Sequence, residues 1–184
     1  MTRTKKLTTC ALLTALSTVL MWVSKMIPSP WLQGGSVTLA SMVPVILAGI
    51  LFGTRWGLCT SMTYAFIQML FGFYPPPTQT FLSFVLVVLI DYVFAFGVLG
   101  LSGFFLRITG GRKISVPISA FIVTGIRYVC HIISGVLIWG VYAEEGQSVL
   151  LYSIVYNGSY MIPEIIISTL VCTMLCKADV LKRL

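Results

Sequence analysis

Charge is scarce in this chain. Of its 184 residues, 9% are charged and five are acidic, while 58% are hydrophobic. An ordinary soluble domain carries about 25% charged residues, so the composition excludes one and describes an integral membrane protein. With a single histidine and no H-E-x-x-H motif, the chain lacks the usual means of holding a catalytic zinc. No G-x-x-x-x-G-K-S/T phosphate loop occurs, so the chain brings no recognisable ATPase and cannot obviously power pumping alone. Cys10, Cys59, Cys130, Cys172 and Cys176 sit in apolar runs, where neither a disulfide framework nor a zinc-ligand spacing fits. They read as small packing residues. No inverted repeat, low-complexity tract or linker divides the sequence, and nothing in it implies a cofactor.

What is abundant is apolar sequence punctuated by proline, glycine and charge. A bilayer-spanning helix takes roughly 20 residues, and the punctuation allows six: about 8–27, 37–53, 57–73, 79–105, 115–141 and 149–175. The expectation is an all-α, six-helix membrane unit covering 1–184 as a single domain. Arg3, Lys5 and Lys6 before the first run resemble the start of a signal peptide, but the run is too long and more spans follow. It reads as a retained helix.

The formal net charge of +7 is distributed by loop rather than gathered into the patch a nucleic-acid partner would need. Arg3, Lys5 and Lys6 precede the first span, Arg55 follows the second, Arg107, Arg112 and Lys113 follow the fourth, and Lys177, Lys182 and Arg183 close the chain. These are alternate loops. By the positive-inside rule both termini are cytoplasmic, and the loops 28–36, 74–80 and 143–149, which carry no basic residue, are external.

Ionisable residues at bilayer depth are costly and read by default as functional, usually with a partner. Asp91, Arg127 and Glu164 each fall near the middle of an expected span. Either acid alone could neutralise Arg127 as a structural ion pair. Two carboxylates against one guanidinium, if both are ionised, leave a surplus negative charge that a small cation could complete. In the fifth span Arg127, His131, Gly135 and Trp139 recur every four residues, forming a slanting stripe in which each is about 40° round from the last. His131 offers two ring nitrogens, Gly135 permits close approach to the backbone, and Trp139 offers an indole face near the external surface. That mixture suits a flat aromatic cation. Its competitor is an interface tryptophan beside a satisfied interhelical histidine. Tyr92, Tyr152, Asn157 and Trp31 converge on the same outer half, although a tyrosine taken singly is more often an interface anchor. Ser134, three residues from His131, is a poor signature for a nucleophile, so an enzyme is the weaker class.

The stretches QGGSVTLASMVP (33–44), LIDYVFAFGVLGLSG (89–103), RYVCHIISGVLIWGVYAEEG (127–146) and LYSIVYNG (151–158) resemble the thiamine-specific branch of the substrate-binding S components of energy-coupling factor vitamin transporters. The resemblance covers nearly the whole chain. It implies six helices, a thiamine pocket on the external side, no catalysis, and residence in the cytoplasmic membrane of a bacterium, surrounded by lipid. It also implies that Asp91 and Tyr92, His131 and Trp139, and Tyr152 and Asn157 surround the vitamin, with Asp91 offsetting its charge, Trp139 stacking on a ring and the others hydrogen-bonding it. Arg127 would orient Asp91 from below. Helix four carries aspartate where some relatives carry glutamate, and Glu164 has no role to transfer.

The partners implied are a transmembrane coupling subunit and two ATPase subunits, docked on a small-residue face of the first helix, where this sequence has Ala11 and Ala15. Small residues four apart let helices pack closely in lipid, and this pair could equally pack within the protein. The expected function is capture of thiamine for ATP-driven import. The alternatives are an S component for another vitamin or precursor, such as hydroxymethylpyrimidine or riboflavin, or a membrane assembly protein whose buried charges pair only with one another.

Overall fold

The computed structural model describes residues 1–26 and 35–178, all helix and connecting segments among them. Six helices follow in chain order: α1 (Arg3–Lys25), α2 (Val43–Phe52), α3 (Thr54–Gly72), α4 (Phe81–Ile108), α5 (Ser115–Leu137) and α6 (Val149–Lys177). Of these, α1, α4, α5 and α6 are each long and apolar enough to cross a membrane.

The burial pattern is inverted relative to a water-soluble bundle. On α1 the buried positions are Cys10, Thr14, Ser17, Met21 and Ser24, at helical spacing, whereas Leu12, Leu16, Val19 and Trp22 are exposed. Lipid is as apolar as leucine, so a membrane helix gains little by turning leucine inward and packs instead through small residues. Two of the inward hydroxyls bond within the helix: Thr14 Oγ1 donates to the Cys10 carbonyl at 2.9 Å and Ser24 Oγ to the Leu20 carbonyl at 2.6 Å.

The second helix starts later than its hydropathy suggests. Residues 37–42 are not helical, and the helix covers only 43–52 of the expected 37–53. Pro44 in its first turn suits a helix start, and Ala40 just upstream has φ of 59°, outside the right-handed helical region. At ten residues it is about 15 Å long. It is buried on nearly all sides. Gly53, at φ +86°, then ends it and redirects the chain into α3.

Close backbone contact joins this pair to α4. A Cβ on Gly57 would lie 2.3 Å from the Gly100 carbonyl oxygen, and one on Gly103 2.2 Å from the Gly49 carbonyl oxygen. No side chain fits at those crossings. The helix α4 is itself irregular: α-helical at Phe81–Leu86, π-helical at Val87–Phe94, and 3-10 at Val98–Leu101 before it returns to α-helix. The most extensive helix contacts are those of α5 with α6 and with α4. Beneath it all lies an apolar core that includes Ile46, Tyr64, Val87, Leu99 and Val123.

Candidate functional site

A cavity of about 630 Å³ opens among α1, segment 35–42, α3, α4, α5 and α6, within the range of small-molecule sites. Asp91, Tyr92, Arg127, His131, Gly135, Trp139, Tyr152 and Asn157 all line it. Trp31 lies outside the described residues. Ala11 and Ala15 do not line the cavity and are exposed on α1, so they do not pack within the described part of the chain.

Asp91 sits in the π-helical stretch of α4. Wide π turns cluster at functional sites because they change which residues face inward over a short distance. Its Oδ1 meets Nδ1 of His131 at 3.0 Å. Its Oδ2 accepts from the Ser134 hydroxyl at 2.5 Å and from the Trp139 indole at 3.2 Å. Three side chains from α5 and the turn after it therefore hold one carboxylate of α4. The expectation that Arg127 orients Asp91 is corrected here: the orienting contacts come from His131, Ser134 and Trp139. The Ser134 hydroxyl gives its proton to Asp91 rather than to His131, so the contact a nucleophile needs with its base is absent.

Arg127 forms neither of the ion pairs that its depth suggested. Its guanidinium lies over the Phe96 ring, 3.9 Å from the centroid, and no carboxylate among the described residues comes within 4.0 Å. Its Nε and Nη1 have no hydrogen-bond partner among the described residues. Glu164 instead accepts the backbone N–H of Thr38. It is fully buried but does not line the cavity, so Asp91 is the only carboxylate among the described lining residues. The surplus of two acids over one cation therefore does not face the cavity. Lys25 also lines it, with its ammonium donating to the Phe71 carbonyl at 3.1 Å at the end of α3.

Other expected ligand contacts are committed to the fold. The Tyr92 hydroxyl donates to the Gly72 carbonyl and accepts from the Tyr74 N–H, both at 3.0 Å. Its ring stacks on Phe73, with centroids 5.6 Å apart. Asn157 donates to the His131 carbonyl at 3.2 Å and to the Ser153 carbonyl at 2.9 Å, while its carbonyl oxygen accepts from Tyr160. At Gly135 the group that approaches the backbone is Ser153: a Cβ there would lie 2.0 Å from its hydroxyl. Ser153 in turn donates to the Ile132 carbonyl at 2.8 Å. Its position four residues before Asn157 on α6 was the one signal available in the sequence.

What remains open is chemically specific. His131 Nε2 and Tyr152 Oη are buried without a hydrogen-bond partner among the described residues. Trp139 has Tyr142 stacked beside it, 6.4 Å between centroids, and Tyr74 tilted toward it at 5.5 Å. The arrangement is an anchored carboxylate in an aromatic wall with nearby hydrogen-bonding atoms. It can hold a flat cation by charge, ring contact and directed hydrogen bonds together. Among the described residues no group of histidine, cysteine, aspartate or glutamate could hold a metal ion.

Comparison with known proteins identifies the family. Residues 7–182 match the family described as Thiamine transporter protein (Thia_YuaJ). The chain is 33% identical over 174 residues to the thiamine transporter ThiT of Bacillus subtilis, covering 90% of this chain and 86% of that protein. It is 35% identical over 79 residues to ThiT of Lacticaseibacillus paracasei, covering 38% and 39% of the two chains. A solved structure of ThiT from Listeria monocytogenes superposes with a TM-score of 0.73 at 22% identity, covering 96% of both chains, and so shares the fold. These relatives are bacterial and are named as transporters, not enzymes. The chain is a multi-pass, all-α membrane protein that belongs to the thiamine transporter family.

Proposed function

We propose that this chain is a substrate-binding subunit that captures thiamine from the external side of the bacterial cytoplasmic membrane and delivers it to an ATP-driven coupling module. The observation that carries the reading is the anchored Asp91 carboxylate within the aromatic-walled cavity. Thiamine joins a permanently cationic thiazolium to an aminopyrimidine. Asp91 offsets the cation, Trp139 offers a stacking surface, and His131 Nε2 and Tyr152 Oη are left to hydrogen-bond the polar ends.

The proposed orientation rests on charge and on where the cavity opens. The positive-inside rule places both termini in the cytoplasm. The cavity lining reaches Lys25, Gly72 and Trp139, at the C-terminal ends of α1 and α3 and just beyond α5, which are then the external ends. The whole chain acts as one membrane unit in this reading. Because it carries no phosphate loop, energy comes from partner subunits: a transmembrane coupling subunit and two ATPases. The exposed face of α1 bearing Ala11 and Ala15 is the proposed contact.

The test is titration of purified, ligand-free protein with thiamine, followed by tryptophan fluorescence and independently by calorimetry. Saturable quenching that disappears in Trp139→Phe while calorimetric binding persists places a thiamine ring on Trp139. Absence of binding by both methods overturns the thiamine reading. Saturable binding of riboflavin or hydroxymethylpyrimidine in preference to thiamine reassigns the substrate.

A further inference from the structure

One face of α6 carries Ser153, Asn157, Tyr160 and Glu164 at spacings of four, three and four residues, so all project along a single stripe. All four are buried. The outer pair serves α5: Ser153 donates to the Ile132 carbonyl and Asn157 to the His131 carbonyl. The inner pair serves a different element. Gly35 lies against the Tyr160 ring, where a Cβ would come within 2.5 Å, and the Thr38 N–H donates to the Glu164 carboxylate.

Both contacts fall on the non-helical segment 35–42, which supplies Ser36, Val37 and Thr38 to the cavity lining. Without a helical ladder, the amides of this wall must find other partners. Leu39 donates to the Ser24 hydroxyl of α1 at 2.7 Å. Ser41 donates to the Thr38 hydroxyl at 3.2 Å, and Ala40 to the Thr38 carbonyl at 2.8 Å. The last two are internal to the segment, so Ser24 and Glu164 are its hydrogen-bonded anchors to the helices among these contacts. The Glu164 bond belongs to a side chain with no exposure to solvent.

We propose that Glu164 is a positioning residue for ligand binding: by accepting the Thr38 amide it fixes the 35–42 wall of the cavity against α6, without touching the ligand itself. This account assigns the mid-membrane carboxylate to a backbone anchor rather than to an ion pair with Arg127. The two roles separate experimentally, because glutamine retains an acceptor oxygen but no charge, and leucine retains neither.

The ligand readout rests on the thiamine reading, but the first measurement does not. In ligand-free protein, residue-resolved amide hydrogen exchange should show Thr38 protected in the wild type and in Glu164→Gln. In Glu164→Leu that protection should be lost, with faster exchange confined to 35–42. The dissociation rate of thiamine should then rise roughly ten- to hundredfold in Glu164→Leu, the cost of one buried unsatisfied donor, and stay within a few-fold of wild type in Glu164→Gln. A freely exchanging Thr38 amide in the wild type overturns the proposal, as does a protected one in Glu164→Leu. A Glu164→Gln variant that behaves like Glu164→Leu also overturns it and assigns Glu164 to charge balance. Should the leucine variant not fold, wild type and Glu164→Gln still decide by exchange. Failure of the wild type to bind thiamine would overturn the substrate reading while leaving the exchange result to judge the anchor.

Discussion

The Asp91 carboxylate and the Trp139 indole meet at 3.2 Å, although one comes from the middle of α4 and the other from just beyond the end of α5. The same Oδ2 also takes the Ser134 hydroxyl. The acid thus has fixed geometry before any ligand arrives, which lowers the ordering cost of binding.

Replacing Asp91 by asparagine keeps the shape and removes the charge. Thiamine affinity should fall by about 2–5 kcal/mol, the range for truncating one partner of a buried, hydrogen-bonded charge pair. Isothermal calorimetry on protein of unchanged melting temperature checks this. Affinity within twofold of wild type would remove Asp91 from its role as counter-charge.

Ser134→Ala deletes one of the donors to Asp91. A hydrogen bond to a charged group is worth about 1.5–3 kcal/mol, so affinity should fall by roughly ten- to a hundredfold, less than in Asp91→Asn. In the double variant the two losses should not add, because Ser134 acts through the carboxylate. Full additivity in a double-mutant cycle would contradict that.

Tyr92→Phe tests a residue whose hydroxyl is spent on the fold. It ties the Gly72 carbonyl and the Tyr74 N–H together at the α3–α4 connection. The variant should lose about 1–3 kcal/mol of stability, read as a lower thermal midpoint in detergent, with thiamine affinity changed less than in Ser134→Ala. A large affinity loss at unchanged stability would instead return Tyr92 to direct ligand contact.

Gly57→Leu should prevent the approach of α3 to α4, since even a Cβ at that position lies 2.3 Å from the Gly100 carbonyl oxygen. Overpacking of this kind typically costs about 1–3 kcal/mol, occasionally more. Gly125→Leu provides the control, because a Cβ there meets nothing within 4 Å. Thermal unfolding should separate the two clearly; similar midpoints would deny the tight crossing.

Much of the site was legible in the sequence because it depends on which residue types a membrane excludes. Asp91, Arg127, His131 and Glu164 stand out against apolar neighbours wherever they point. Their partners did not stand out. Serine is common in membrane helices, so Ser134 holding Asp91 had no distinguishing signal, and Ser153 filling the space at Gly135 had only its spacing of four from Asn157. The expected pairing of Arg127 with an acid failed because similar depth does not fix azimuth around the bundle. Arg127 faces Phe96, while Glu164 turns to Thr38.

By itself the sequence determined the membrane class, the helical content and the approximate helix ends, since hydropathy, basic loops and proline act locally along the chain. Its motifs also carried the family resemblance that the comparisons upheld. Only the tertiary structure decided the late start of α2, the π-helical turn carrying Asp91 and the division of hydroxyls between fold and cavity. Those features depend on how neighbouring backbones approach: glycines at the α3–α4 crossing admit direct contact, and a non-helical segment finds an amide acceptor on α6. Local periodicity carries no information about either, because each is settled by a partner far away in the chain.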